Sequence, residues 1–392
     1  MQLLKKLLLV KLFKKSFLWR NFFMLEYDEI GPEKVLQVYH PKYGMKGFVV
    51  IDNTAFGPGK GGIRMTPTIS VEEVQNLSRA MTLKNALAEL PFGGAKSGII
   101  ADPRKITPKA KMEIVKAFAE SLKQLCPSQY VAAPDINMGE KEMQLFAETN
   151  GDPKSITGKP ASMGGLPHEL GSTGYGVFLA TKIGAKYAGL DLTNAKIAIE
   201  GFGNVGSFVA KFLNEMGATV NAVSDINGTI YNEEGLDYDR LVKVNQEFKT
   251  IYKYPDAKKL YDKELFELPV DVIITAAIPD VITSENVEDV KAKLIVQGSN
   301  IPIKNHVERR LHERGVWVIP DFVANAGGVI SSYVEFIDGT EKQMFELVKE
   351  KIEKNTELVL RKAKEQNTYP RHIAREIAMT RIKDQCKKCG KL

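Results

Sequence analysis

Cysteine is nearly absent: Cys126, Cys386 and Cys389 are the three in 392 residues. That is too few for a disulfide framework and favours a reducing, cytoplasmic setting. Cys386 and Cys389 form a single CxxC near the C-terminus. A zinc site needs a second ligand pair and none is evident, so no metal is expected and the pair reads as exposed, incidental thiols. No apolar run is long enough to cross a bilayer, and there is no internal repeat or low-complexity tract. A charged body is missing too. The chain totals +6, yet Lys5, Lys6, Lys11, Lys14, Lys15 and Arg20 all fall in residues 1–23, where no acid occurs; setting those six aside leaves 48 basic against 48 acidic residues. The total therefore implies no nucleic-acid-binding face.

What is present suffices for two ordinary cores: 44% of residues are hydrophobic and 26% charged. Residues 1–23 lack the cleavage site of a secretory signal. They read as an upstream extension with the fold beginning at Met24; a basic amphipathic helix on a membrane surface is the alternative. From Val35 to about Gly165, strands and helices alternate. Phe48–Ile51 is strand-like, and Val71–Leu90 has apolar residues at helical spacing behind Ser70 and Glu73, a capping box. Lys109–Leu125 is a second amphipathic helix, with Thr107 as cap and Pro108 in the first turn. After the Gly164-Gly165 loop, Gly171–Ala188 reads as a helix leading into a second domain. Short apolar runs then follow at Lys196–Glu200, Thr219–Ser224, Asp271–Ala276, Leu294–Gln297 and Val316–Ile319, separated by helices. That pattern predicts a parallel, doubly wound α/β sheet. Beyond Gly327 a long helical stretch runs to the C-terminus.

The second domain carries a nucleotide fingerprint. Gly201-Phe202-Gly203-Asn204-Val205-Gly206 follows the strand Ile197–Ile199 and opens the helix Asn204–Met216, which stops at Gly217. Gly201 allows the tight turn, Gly203 lets a pyrophosphate approach the backbone, and Gly206 lets helix and strand pack closely. The helix N-terminus offers unpaired N–H groups to that pyrophosphate. A lone GxGxxG is weak, but here strand, helix, second strand and acid follow in order. Asp225 closes the second strand where an acid binds the ribose hydroxyls of NAD. Ser224, Asn227 and Gly228 beside it form a small polar loop with room for a 2′-phosphate, but no Arg is adjacent to clamp one. The cofactor is read as NAD or NADP, with the balance toward NAD.

The first half holds three lysines in glycine-rich or tightly patterned settings. They are Gly59-Lys60-Gly61-Gly62, Thr82-Leu83-Lys84-Asn85 and Gly93-Gly94-Ala95-Lys96-Ser97-Gly98. Most lysines are solvated surface residues. Flanking glycines change that expectation by letting backbone approach a ligand, and a desolvated lysine near other cations loses proton affinity and becomes a base. The stretch Leu90-Pro91-Phe92-Gly93-Gly94-Ala95-Lys96-Ser97-Gly98-Ile99-Ile100-Ala101-Asp102-Pro103 resembles the signature of the glutamate/leucine/phenylalanine/valine dehydrogenase family. The resemblance covers nearly all of residues 33–385, through Gly57–Arg64, Ala133-Pro134-Asp135, the nucleotide fingerprint and Asn325–Val329. Many members carry glycine where Ser97 stands.

The resemblance implies specific roles. Lys96 is the catalytic base and Asp135 its proton-transfer partner. Lys84 pairs with the substrate α-carboxylate, while Lys60 and Ser332 bind the side-chain carboxylate in a pocket lined by Ala133 and Val329. Thr173 and Asn204 contact the cofactor, and Asn300 and Asn325 lie near the nicotinamide. Leaving a carboxylate unpaired in a dry pocket costs several kcal/mol, and members acting on leucine, valine or phenylalanine carry apolar residues at the Lys60 and Ser332 positions. L-Glutamate, 2-oxoglutarate and ammonium are the expected ligands. A branched-chain or aromatic amino-acid dehydrogenase and an inactive regulatory homologue are the alternatives. The resemblance also implies a substrate domain at 24–170, a Rossmann domain at 171–325, helices 326–392 returning to the first domain, and a homo-oligomer, commonly a hexamer.

Overall fold

The computed structural model describes residues 25–166 and 170–392; the leader reading and Met24 lie outside the described residues. Among the described residues the strands form two sheets. The first contains β1 (Lys34–His40), β2 (Met45–Asn53), β3 (Gly59–Thr66), β4 (Gly93–Ile100) and β5 (Tyr130–Pro134), in the spatial order β1-β2-β4-β3-β5. β1, β2 and β4 pair antiparallel, whereas β3 runs parallel to both β4 and β5. Helices α1 (Val71–Leu87), α2 (Pro108–Ser121) and α3 (Glu140–Asn150) belong to this half. The hydroxyl of Ser70 accepts from Glu73 N, and Thr107 caps α2 ahead of Pro108, as the sequence predicts. The reciprocal half of the Ser70 capping box is not formed: the Glu73 carboxylate turns to Arg64 instead. α2 also ends sooner than expected, at Ser121 rather than Leu125.

The second half opens with α4 (Ser172–Tyr187), entered through Gly171 at φ 76°, a left-handed conformation that favours glycine. Its sheet contains β6 (Ile197–Glu200), β7 (Val220–Asp225), β8 (Gly228–Leu236), β9 (Lys258–Leu260), β10 (Val272–Thr275), β11 (Leu294–Gln297) and β12 (Trp317–Ile319), ordered β12-β11-β10-β6-β7-β8-β9. The strands expected from the sequence, β6, β7, β10, β11 and β12, are parallel. β8 and β9 were not expected, and they add antiparallel, so the sheet is not wholly parallel. Helices α5 (Asn204–Glu215), α6 (Tyr238–Phe248) and α7 (Asn305–Glu313) pack around it. The polarity rule for such sheets places ligands beyond the carboxyl ends of the strands.

The final helical stretch is divided into α8 (Asp321–Ala324), α9 (Gly327–Phe336), α10 (Glu341–Glu365) and α11 (Pro370–Lys388). Thr340 starts α10 with a capping box to Gln343, and Pro370 occupies the first position of α11. α10 packs along α4 of the second half, while side chains of α10 and α11 also reach the first half. Arg381 of α11 donates to the Leu87 carbonyl at 2.6 Å, and Glu89, just past α1, pairs with Lys354 at 2.7 Å and Arg381 at 3.1 Å. The CxxC pair is split rather than jointly exposed: Cys386 is buried and Cys389 exposed.

Candidate active site

In β3 alternate residues share a face, so Lys60, Gly62 and Arg64 point the same way. A Cβ on Gly62 would lie 2.8 Å from Asp135 Cβ and 3.3 Å from Lys96 Nζ. Glycine at this position is what lets the acid after β5 and the lysine of β4 meet over β3. Their contact is short, with Lys96 Nζ 2.6 Å from Asp135 Oδ2. The neighbouring glycines bring backbone close in the same way. A Cβ on Gly93 would strike Asn53 O at 1.8 Å, and one on Gly94 would strike Thr82 N at 2.2 Å. That second approach seats α1 on β4, and Asn85 Nδ2 reinforces it by donating to Gly93 O at 2.6 Å. α1 thereby brings Lys84 to the same end of the sheet.

The three lysines differ in their partners. Lys60 is only 2% exposed and donates to Ala132 O at 3.5 Å, a long contact. Burial pushes its pKa down to about 7; Glu335 opposes the shift and Lys96 adds to it. Lys84 is half-buried and donates to Asn300 Oδ1 at 3.4 Å. Burial lowers its pKa as well, with Asp321 opposing and Lys96 reinforcing. Lys96 is 8% exposed; burial lowers its pKa, Asp135 opposes this, and Arg64 adds to it. Burial pushes Asp135 upward, but Lys96 and Arg64 outweigh it and hold the carboxyl below its usual range. A lysine whose proton affinity is lowered beside an ionised carboxylate is equipped for proton transfer.

The other wall comes from the second half. Asn325 Nδ2 donates to Gly298 O at 3.2 Å and to Asn300 Oδ1 at 3.1 Å, so Asn300 links Asn325 with Lys84 across the two halves. Asn325 Oδ1 is buried without a hydrogen-bond partner, an acceptor suited to a carboxamide. In the fingerprint, Gly201 has φ 94°, and a Cβ on Gly206 would strike Gly201 O at 1.8 Å; a Cβ on Gly203 would meet nothing within 4 Å. Two of the glycines thus serve the turn and the packing, while Gly203 leaves the backbone at the start of α5 open to close approach by a ligand. Thr173, in the first turn of α4, lies against α9, where a Cβ on Gly328 would be 2.9 Å from its hydroxyl.

Asp225 stands at the end of β7 as expected, but its carboxylate also holds the adjoining loop. It accepts from Asn227 N at 2.7 Å, Thr250 Oγ1 at 2.6 Å and Ile251 N at 2.7 Å. A carboxylate has about four acceptor positions, so these bonds fix its orientation and leave room for a ribose hydroxyl. Ala133 lies in β5 opposite Gly62. Val329 and Ser332 are one turn apart on α9, both half-buried. Glu335 follows one turn further on the same face.

Two neighbours of the cluster, Arg64 and Glu335, were missed by the sequence reading, and Glu73 was read only as a helix cap. Arg64 joins Asp135 at 3.2 Å and Glu73 at 2.8 Å, on either side of its guanidinium. Glu335 is 2% exposed and accepts from Lys159 N and Leu166 N while facing the field of Lys60. Period-2 alternation in β3 would have placed Arg64 beside Lys60; nothing local marks Glu335. Among the described residues no group of three or more His, Cys, Asp or Glu is arranged to hold a metal ion, and no helix is long and apolar enough to cross a membrane.

Known proteins resemble the chain in both sequence and fold. The family described as Glutamate/Leucine/Phenylalanine/Valine dehydrogenase matches residues 164–390, and that described as Glu/Leu/Phe/Val dehydrogenase, dimerisation domain, matches residues 32–151. The chain is 38% identical over 354 residues to the NADP-specific glutamate dehydrogenase of Saccharolobus shibatae, covering 86% of this chain and 84% of that protein. It is 36% identical over 320 residues to the NAD-specific glutamate dehydrogenase of Staphylococcus aureus, covering 78% and 77%. The hetero-hexameric glutamate dehydrogenase of Thermus thermophilus, in its Leu-bound form, superposes with a TM-score of 0.80 at 28% identity, covering 90% and 89%.

Proposed function

The chain belongs to the glutamate/leucine/phenylalanine/valine dehydrogenase family, and from that membership we propose that it interconverts L-glutamate and 2-oxoglutarate plus ammonium with NAD or NADP. The observation that carries the reading is the 2.6 Å contact between Lys96 and Asp135 beside two further buried or half-buried lysines. Residues 24–170 would then form the substrate domain, 171–325 the nucleotide domain, and 326–392 the helices that return to the first.

Gly201, Gly203, Asn204, Val205 and Gly206 would hold the dinucleotide, with Asp225 at its ribose and Thr173, Asn300 and Asn325 toward the nicotinamide; when bound, the cofactor would supply the acceptor for the hydride of the substrate Cα. Lys84 holds the α-carboxylate. Lys60 and Ser332 hold the side-chain carboxylate, between Ala133 and Val329. Neutral Lys96 draws a proton from water as that water attacks the iminium carbon of the substrate, forming a carbinolamine. Asp135 relays that proton from the Lys96 ammonium, 2.6 Å away, to the carbinolamine nitrogen; Lys96, neutral again, takes up the hydroxyl proton as the C–N bond breaks and ammonia and the 2-oxo acid leave. Closure of the two halves excludes bulk water and strengthens each of these charge contacts.

A fixed acid at Asp225 favours NAD over NADP, because it repels a 2′-phosphate. The assembly is a hexamer and the location the cytoplasm. Initial rates with glutamate, leucine and phenylalanine, each with both cofactors, test the reading: glutamate should give the highest kcat/KM. A higher value with leucine or phenylalanine would make it a branched-chain or aromatic amino-acid dehydrogenase, and no turnover at all would make it a regulatory homologue.

A further inference from the structure

We propose that Arg64 is a positioning residue for the Lys96–Asp135 pair: held by Glu73, its guanidinium pins one Asp135 oxygen beside Lys96, so that the other oxygen handles protons. The inference rests on the roles proposed above for Lys96 and Asp135. It starts from a coincidence of atoms. Lys96 Nζ, at 2.6 Å, and Arg64 Nε, at 3.2 Å, meet the same carboxylate oxygen, Oδ2. A carboxylate that hops between its two oxygens would present a proton acceptor of variable position. Two cations converging on one oxygen remove that freedom.

Arg64 is itself fixed. Its Nη1 lies 2.8 Å from Glu73 Oε1, in the first turn of α1, so the guanidinium bridges a helix and the loop after β5. Only a planar, forked cation spans two carboxylates in this way; an ammonium is a point charge on a flexible stem. This also accounts for the unformed half of the capping box at Ser70, since Glu73 serves Arg64 rather than its own helix end.

Charge gives the arrangement a second consequence. The titratable groups facing Lys96 are Asp135 from the loop after β5, Arg64 and Lys60 from β3, and Glu73 and Lys84 from α1. Arg64 disfavours the protonated form of Lys96 both directly and by sharing Asp135, whereas Glu73 favours it. Loss of Arg64 therefore raises the proton affinity of Lys96, and loss of Glu73 lowers it. Turnover needs neutral Lys96, so the acid limb of the kcat pH profile moves in opposite directions for the two variants.

The test is the kcat pH profile of Arg64→Gln, Arg64→Lys and Glu73→Gln, with thermal melting of each and Lys96→Ala as control. Arg64→Gln should lower kcat roughly 10- to 100-fold, as expected for a misplaced catalytic group, and move the acid limb upward by about one pH unit. Arg64→Lys should restore the limb while recovering only part of kcat, because charge returns without the bridge. Glu73→Gln should move the limb to lower pH. A folded Arg64→Gln enzyme with the native kcat and an unshifted limb overturns the inference, as does Arg64→Lys behaving no better than Arg64→Gln. Should Arg64→Gln fail to fold, the direction of the Glu73→Gln shift decides alone: downward supports the inference, no shift or an upward one overturns it. Substantial turnover by Lys96→Ala would instead sink the assignment of the base.

Discussion

Two of the buried charge groups among the described residues are built on opposite principles. One joins α11, α7 and the end of β11. There Arg371 Nε donates to both Glu308 oxygens at 2.8 Å, and its Nη2 donates to Gln297 Oε1 at 2.8 Å and Asp321 Oδ1 at 2.9 Å. Gln297 Nε2 donates in turn to Glu308 Oε1 at 2.5 Å, and Ile301 N to the second Asp321 oxygen at 2.9 Å. The other group is the lysine cluster, where cations predominate and two of the three lysines have only long contacts, 3.5 Å for Lys60 and 3.4 Å for Lys84. The first network satisfies its charges internally and so rigidifies the fold. The second keeps cations short of strong partners, and a dicarboxylate would supply them. Completeness of hydrogen bonding, rather than burial, separates a structural ion cluster from a binding one.

The comparison predicts that changes in the lysine cluster act on chemistry and changes around Arg371 act on stability. The largest effect is expected from Lys96→Ala, which should reduce turnover by at least roughly 10³-fold. NADH affinity, followed by fluorescence titration, should stay near native, since the fingerprint lies in the other half. Substantial residual turnover would remove Lys96 from the chemistry. Next comes Lys60→Leu with Ser332→Val. Without an anion partner, glutamate kcat/KM should fall by roughly 10²-fold or more, and apolar amino acids should become relatively better substrates. Unchanged glutamate kinetics would break the pocket assignment.

Arg371→Met probes the other side of the comparison. It strands Glu308 and Asp321 together in the interior, and breaking such a network costs about 3–5 kcal/mol. Burial already raises the pKa of Glu308 despite Arg371. Without the arginine a carboxyl should take up a proton in the folded state, so the loss should shrink as pH falls. Urea midpoints at pH 5.5 and pH 8 measure this, and a loss that is equal at both values would contradict the account. Asp321 also touches the chemistry weakly, through its field on Lys84, so a modest rise in the KM for glutamate is expected beside the stability loss.

How much of this was legible depended on distance along the chain. Lys96 carries its glycines beside it, and the nucleotide fingerprint has strand, turn and helix in succession, so both could be read locally. Arg64 sits inside a quoted motif, yet its partner Asp135 is 71 residues away, and only the folded loop after β5 brings them together. Glu73 was misread for the complementary reason: a capping box is the best local use of that side chain, and a tertiary ion pair displaced it. The β7–β8 hairpin was readable in principle, since Asn227-Gly228 is a hairpin turn signal, but the neighbouring fingerprint led Ser224, Asn227 and Gly228 to be read as a polar loop beside the cofactor. Glu308 and Arg371, 63 residues apart, have no signal in sequence at all.

The smallest effect is the one that sets the two clusters most directly against each other. If Lys60 is kept short of partners for the sake of a ligand, it should weaken the free protein. Its pKa in the fold is about 7 against an ordinary 10.5, so the folded state holds the ammonium less tightly than the unfolded chain does. Below pH 7 the lysine is charged in both states and the cost of burying that charge is fully present. As pH rises from 7 toward 10.5 the folded state releases the proton first, and the cost is progressively relieved. Lys60→Met should therefore raise the melting temperature, by an amount reflecting at most a few kcal/mol, with the gain larger at pH 6 than at pH 9.5. Glutamate should stabilise the native enzyme more than the variant, because ligand binding to the folded state adds to its stability only where the ligand is held. A variant less stable than the native protein at pH 6 would show that Lys60 is satisfied within the fold, as Arg371 is, and would erase the distinction between the two clusters.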